Sequence, residues 1–161
     1  MNTSQTVIRE ATLNDLPRLL QFEQRLIAFE RPFAPNLKKG EISYYDLRKY
    51  IISNDIRVIV AEIEGQVVGS GYALIRKNKS YKAPAHYVYL GFMFVLPEFR
   101  GQGINERVMK DLIHWGKEQG HTEFQLEVYA ENKSAIKAYT KVGLVPEMLT
   151  MRLDNIPPEN Q

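Results

Sequence analysis

The chain contains no cysteine. That absence excludes a disulfide framework, a cysteine-ligated metal site and a thiol nucleophile. Charge of one sign is also scarce. The 21 Lys and Arg face 19 Asp and Glu, a formal net of +2 at pH 7, which is too little to draw nucleic acid or an anionic membrane surface by itself. No apolar run approaches the length needed to cross a bilayer. The opening Met1-Asn2-Thr3-Ser4-Gln5 lacks the basic-then-apolar pattern of a secretory leader, so a cytoplasmic protein is the default expectation. There are three histidines, and no His, Asp and Glu stand together at metal-ligand spacing, so no metal is expected. Internal repeats, low-complexity stretches and domain linkers are missing too. What remains is an ordinary globular composition, 44% hydrophobic and 25% charged. At 161 residues the chain suits one domain with a proper core, expected over residues 1–154, with 155–161 as a frayed tail.

Taken in order, Val7-Ile8-Arg9 reads as a first strand. Thr12 or Asn14 can cap a helix reaching Glu30, with Pro17 in its first turn and Leu16, Leu19, Leu20, Leu26 and Ile27 as its apolar face. Pro32, Pro35, Asn36 and Gly40 interrupt regular structure. Ser43 or Asp46 then opens a second helix over about 43–53. Residues 56–63 and 67–76 form a hairpin around Glu64-Gly65. Lys77 to Pro84 is a basic, polar connection whose lysines are expected in solvent.

Residues 88–95, Val-Tyr-Leu-Gly-Phe-Met-Phe-Val, suit a strand buried on both faces. Pro97 and Glu98 stop it. From Arg100-Gly101-Gln102-Gly103 onward, apolar residues at Ile104, Val108, Leu112 and Trp115 mark one face of a helix that Gly120 ends. A glycine-rich turn at a helix start exposes unpaired N–H groups at the positive end of the dipole, which is an anion site. The pattern is neither G-x-G-x-x-G nor a P-loop, so dinucleotide and ATP readings lack their required parts. Phe124 to Tyr129 reads as a further buried strand, Asn132 to Val142 as a short helix closed by Gly143, and Val145 to Leu153 as a last extended segment.

Two stretches resemble the shared motifs of the GCN5-related N-acetyltransferases. Val95-Leu96-Pro97-Glu98-Phe99-Arg100-Gly101-Gln102-Gly103-Ile104 is similar to their acetyl-CoA-binding motif with its V-x-P-E-aromatic lead, Asn105 standing where the family has Gly or Ala. Residues 126–144, with Asn132, Ala135, Tyr139 and Gly143, resemble the second motif, with Leu144 in place of the usual Phe. Ile8 to Leu16 is similar to the family's opening strand and helix. The resemblance implies an α/β fold (a mixed α+β sheet flanked by helices) in the order β-α-α-β-β-β-α-β-α-β. It also implies acetyl transfer from acetyl-CoA, as cosubstrate, to a primary amine by direct attack. It places the diphosphate on the N–H groups of Gly101, Gln102, Gly103, Ile104 and Asn105 beside Arg100, and the thioester carbonyl and pantetheine arm along Met93, Phe94 and Val95. Asn132 becomes a cofactor contact and Tyr139 the general acid.

The base is left open by the residues. Many relatives carry a glutamate on the central strand where this chain has Leu90-Gly91-Phe92. Glu127, Glu30, His86 and a water relay are the alternatives, Glu127 being the first choice. Acceptor choice is expected in residues 26–50, where Phe29 and Glu30 are the leading contacts, Glu41 and Asp46 add acid, and Phe33, Tyr44 and Tyr45 offer aromatic walls. Ala28-Phe29-Glu30 resembles polyamine and thialysine acetyltransferases. The acceptor is expected to be a small-molecule or peptide amine, with no nucleic-acid or membrane partner; a homodimer stays open. A competing reading is a catalytically weak module that binds or senses acyl-CoA. Nucleic-acid binding through Arg76, Lys77, Lys79 and Lys82 lacks a recognised module.

Overall fold

The computed structural model describes residues 5–154; the tail expected at 155–161 lies outside them. Five strands form one mixed sheet in the order β1 (Thr6–Glu10), β2 (Ile56–Ile63), β3 (Gln66–Lys77), β4 (His86–Val95) and β5 (Phe124–Gln125). Neighbours run antiparallel except β4 and β5, which are parallel. The helices are α1 (Leu16–Glu30), α2 (Leu47–Ile52), α3 (Ile104–Glu118) and α4 (Lys133–Val142). Gly71 turns toward Val108 and Leu112 of α3, so a Cβ there would strike them. Its neighbour Tyr72 turns the other way, against Tyr45 and Tyr50. Alternation along a strand therefore puts α3 on one face of the sheet and α1 with α2 on the other. Leu19, Ile59, Val60, Val68, Ala73, Val88, Val108 and Leu112 fill the core with no exposed surface.

Element order follows the expectation as far as α4. Three boundaries differ, each for a local reason. Neither Thr12 nor Asn14 caps α1 itself. Thr12 closes a capping box with Asp15 around a short 3-10 turn, its N–H donating to Asp15 Oδ2 at 2.8 Å, and α1 begins after Asp15. The second helix starts at Leu47 rather than Ser43. Asp46 caps it by accepting from Lys49 N at 3.2 Å, while Ser43 donates instead to the buried carboxylate of Glu23. The strand expected over Phe124–Tyr129 keeps only its first two residues, because the chain leaves β4 after Tyr89↔Gln125. The last extended segment, Val145–Leu153, forms no strand at all: none of its residues makes a main-chain hydrogen bond among those described.

Candidate active site

The separation of β4 from the chain after β5 opens a cleft of about 580 Å³. Tyr89 to Val95 form one bank and Leu126 to Val128 the other, with the start of α3, one side of α4 and the end of α1 closing the ends. The β4 bank is irregular. Tyr72 pairs with Gly91 and Ser70 with Phe94, so four residues of β4 oppose three of β3. The extra residue makes a bulge in which Phe92 takes φ 57°, a left-handed conformation that costs a phenylalanine energy and occurs where a strand must re-aim its groups. Ser70, fully buried, holds the bulge by donating to the Phe92 carbonyl at 3.0 Å.

At one end of the cleft, Gly101 and Gly103 adopt φ 79° and 78°. The open space around them would admit a side chain; the backbone angle is what requires glycine. The first main-chain bond of α3 is Arg107 N–H to the Gly103 carbonyl at 3.1 Å. Among the described residues, the N–H groups of Gln102, Gly103, Ile104 and Asn105 have no protein acceptor. They form a concentrated donor set at a helix N-terminus, which suits a diphosphate. Arg100 stands beside it, its Nε donating to the Val95 carbonyl at 2.9 Å and its guanidinium close to the rings of Phe29 and Phe94. Asn105 lies within α3 with an ordinary helical backbone, its side chain directed along the helix toward Met109 Sδ at 3.7 Å.

The rest of the lining is aromatic and acidic, with Glu30, Tyr45, Tyr89 and Tyr139. Glu30, at the last position of α1, is half-buried, and burial raises its carboxyl above the usual range, partly offset by Tyr44. The Tyr44 hydroxyl is buried without a partner of good hydrogen-bond geometry. Burial first, then the nearby Glu30 carboxylate, push the Tyr44 phenol up. Tyr45 packs on Phe92 and Tyr72, each with ring centres 5.3 Å apart; of the three expected aromatic walls it alone lines the cleft, while Tyr44 stands behind it and Phe33 stacks on Tyr129 at 6.5 Å outside the lining. Tyr139, on α4, is largely buried at the cleft wall. Burial first, then Glu30 and Tyr89, push its phenol up to about 12, so it is protonated at neutral pH.

Of the residues anticipated for the site, Met93, Phe94, Val95, Arg100, Gly101, Gly103, Ile104, Asn105, Asn132, Tyr139, Glu127, Phe29 and Glu30 all line this cleft. Gln102 does not, although its N–H belongs to the donor set. Asn132 caps α4 by accepting from Ala135 N at 3.3 Å. Glu127 is 81% exposed and paired with Arg76 at 3.8 Å. His86 is exposed at the far end of β4, opposite Lys77, and outside the cleft. Glu41 is exposed and also outside it, and Asp46 is occupied as a cap.

Two features escaped the sequence reading. A Cβ at Gly91 would collide with the ring and hydroxyl of Tyr72, so a tyrosine from β3 fills the space beside this point of the central strand. Glu23, 1% exposed, accepts from the N–H groups of Tyr44 and Tyr45 at 2.9 Å each. It fixes the loop that delivers both rings. A carboxylate on the Leu19–Leu26–Ile27 face of a helix was the available signal for that role.

A strand parted from its neighbour beside a glycine-opened helix end is a layout for gripping a long thioester cosubstrate, and it places the molecule among the acyl-CoA acyltransferases. The acetyltransferase (GNAT) family model matches residues 23–144. Thialysine N-epsilon-acetyltransferases are 30% identical in Sus scrofa and 31% in Mus musculus. These alignments cover 85% and 86% of this chain and 82% and 83% of those proteins, respectively. A Clostridium acetobutylicum protein described as a predicted acetyltransferase, solved with acetyl-CoA, superposes with a TM-score of 0.70 at 17% identity, over 93% of this chain and 96% of that one. The chain belongs to the GNAT family of acetyltransferases, enzymes that move the acetyl group of acetyl-CoA to an amine.

Proposed function

We propose that this enzyme acetylates the primary amine of a small cationic molecule, with Glu30 and the surrounding tyrosines receiving the acceptor. One observation carries the reading: a half-buried carboxylate, raised by burial, lines the same cleft as the diphosphate cradle, together with the rings of Tyr45, Tyr89 and Tyr139. An ammonium is attracted there by the carboxylate and by the ring faces.

The remaining roles follow from position. The N–H groups of residues 101–105, with Arg100 adding charge, hold the diphosphate. The N–H groups near Met93 to Val95, turned by the bulge, bind the pantetheine arm and polarise the thioester carbonyl, and the Asn132 side chain adds a contact. Acetyl-CoA supplies the activated acetyl carbon. Glu30 takes a proton from the ammonium, directly or through water, and leaves a free amine facing that carbon. Nitrogen bonds to carbon, the carbon–sulfur bond breaks, and Tyr139 passes its proton to the departing sulfur. The proton lost by the new amide nitrogen restores the phenol, so each turnover releases one proton overall. A carboxyl with a raised pKa is the better base near neutrality, which favours Glu30 over the exposed, ion-paired Glu127. No step in this scheme uses a metal, and the described residues hold no cluster of three or more His, Asp or Glu able to bind one. We assign the reaction to the cytoplasm, because its cosubstrate is an intracellular metabolite. No described helix is long and apolar enough to cross a membrane.

Thiol release tests the proposal. Purified protein is given acetyl-CoA and a panel of polyamines, thialysine, lysine, aminoglycosides and peptide N-termini. Turnover is expected with short cationic amines, and Tyr139→Phe lowers kcat about 10²-fold while CoA affinity holds. Tight CoA binding with no acceptor in the panel would overturn the reading in favour of an acyl-CoA-binding module.

A further inference from the structure

The acetyl-transfer scheme leaves one pair of charges beside the cleft unused. Arg76 stands on β3 and Glu127 just past β5, with Tyr89 of β4 between them. Tyr72 faces α1 and α2, so alternation along β3 carries Leu74 and Arg76 to that same side. Tyr89 lies opposite Leu74 and pairs on its other flank with Gln125, just before Glu127. The centre of the Arg76 guanidinium is 3.6 Å from the middle of the Tyr89 ring. Its Nη1 stands 3.8 Å from Glu127 Oε1.

At that distance the two charges attract each other but are too far apart for a hydrogen bond. Stacking on the ring holds the guanidinium flat. A planar fork of N–H donors is thus fixed in place beside a carboxylate that is 81% exposed. Both border the space an acceptor enters, since Tyr89, Glu127 and Glu30 all line the cleft. Burial first, then Glu127, raise the Tyr89 phenol; Arg76 opposes them, and Tyr87 and Glu30 add smaller pushes. One ring therefore stands within electrostatic reach of the charged pair and of the carboxylate assigned to the reacting amine.

Adjacent opposite charges match a ligand that carries its own opposite charges on adjacent groups. An α-amino acid does so, with carboxylate and ammonium on one carbon. A guanidinium takes a carboxylate through paired N–H donors. A simple diamine has no such group, and it sets its second ammonium against Arg76. We propose that Arg76 and Glu127 receive the head group of a free diamino acid, its carboxylate on Arg76 and its α-ammonium on Glu127, while its side-chain amine reaches Glu30. The inference rests on Glu30 receiving the reacting amine, and it narrows the acceptor from cationic amines in general to lysine-like amino acids. Arg76 and Glu127 touch no reacting atom; they select the substrate.

Thiol release from acetyl-CoA compares three amines: lysine, cadaverine, which lacks the carboxylate, and ε-aminocaproate, which lacks the α-ammonium. The parent is expected to favour lysine over cadaverine at least about 10-fold in kcat/KM, and to place the acetyl group on the side-chain nitrogen. Arg76→Gln keeps a stem over Tyr89 and should lower the lysine-to-cadaverine ratio at least about 10-fold. Arg76→Lys should restore part of it. Glu127→Gln should lower kcat/KM for lysine about 10-fold and spare ε-aminocaproate. A role confined to covering Tyr89 would lower all three amines together, and that result overturns the inference. Acetylation of the α-nitrogen overturns it too, as does a parent that treats cadaverine and lysine alike. Those failures leave the acceptor end at Glu30 standing, because Glu30→Gln lowers lysine and cadaverine together. Turnover of polyamines but of none of these three overturns the inference alone, whereas no turnover of any cationic amine overturns the acceptor reading with it.

Discussion

Burial holds the Glu30 carboxyl above its ordinary range, and this one side chain links stability and catalysis with opposite signs. A carboxylate raised on folding binds more protons in the native state than in the unfolded chain. Its favourable contribution is complete below the unfolded pKa and is lost as pH rises through the folded value. At neutral pH the ionised side chain therefore weakens the fold. Glu30→Gln keeps the size of the side chain and removes the ionisation, so its Tm should exceed that of the parent at pH 8 and match it near pH 4. The same substitution should lower kcat/KM for a cationic acceptor about 10²-fold and flatten the acid limb of the pH–rate profile. Glu127→Gln, at an exposed carboxylate paired with Arg76, should leave that limb in place. Thermal melts at the two pH values, with the pH–rate profiles, check both halves. A variant that loses activity without gaining stability at pH 8 would return Glu30 to a purely positioning role.

Within the elements, the cleft is made by two irregularities of β4: its bulge at Phe92 and its parting from the chain after β5. The parting was legible only through the family resemblance, since alternation and apolar runs report burial and say nothing of where a strand pair comes undone. The bulge left no trace, because the residue in the left-handed conformation is a phenylalanine, and positive φ is sought at glycine and asparagine. Gly101 and Gly103 were legible for the converse reason: their turn demands φ near 80°, and only glycine adopts it cheaply. Ser70, which bonds the Phe92 carbonyl, looked like any small residue in a strand. Ser70→Ala leaves that carbonyl without its buried donor and should cost about 1–3 kcal/mol in urea unfolding. It should also lower kcat by more than it weakens CoA binding, because the diphosphate cradle belongs to α3 and only the pantetheine contacts to the bulge. Equal losses in kcat and CoA affinity would mean that the bulge supports the whole cleft.

Across the whole molecule, the order of elements was readable up to α4 because each helix and hairpin carries its own punctuation. Val145 to Leu153 has the composition of a strand, but composition supplies no partner, and the segment pairs with none among the described residues. The opposite edge is braced from within. Arg9 on β1 grips Asp15 at the start of α1 with two bonds, 2.8 and 3.0 Å, and reaches Glu62 on β2 at 2.6 Å. Those bonds from Arg9, with the Thr12 N–H adding to them, hold the Asp15 carboxyl below its usual range against the opposing effect of burial. A carboxylate depressed on folding stabilises fully above its unfolded pKa, near 3.9, and that contribution disappears as pH falls through the lower folded value. Asp15→Asn should therefore lose roughly 2 kcal/mol at pH 7. That lies below the 3–5 kcal/mol of a fully buried pair, since Arg9 stays one-third exposed and retains Glu62. The gap between variant and parent should stay constant from pH 7 to about 5 and narrow below about 4. Urea melts across that range measure it. A gap that persists undiminished at the acid end would mean the brace works through shape and hydrogen bonding alone, with the charge on Asp15 contributing nothing to the fold.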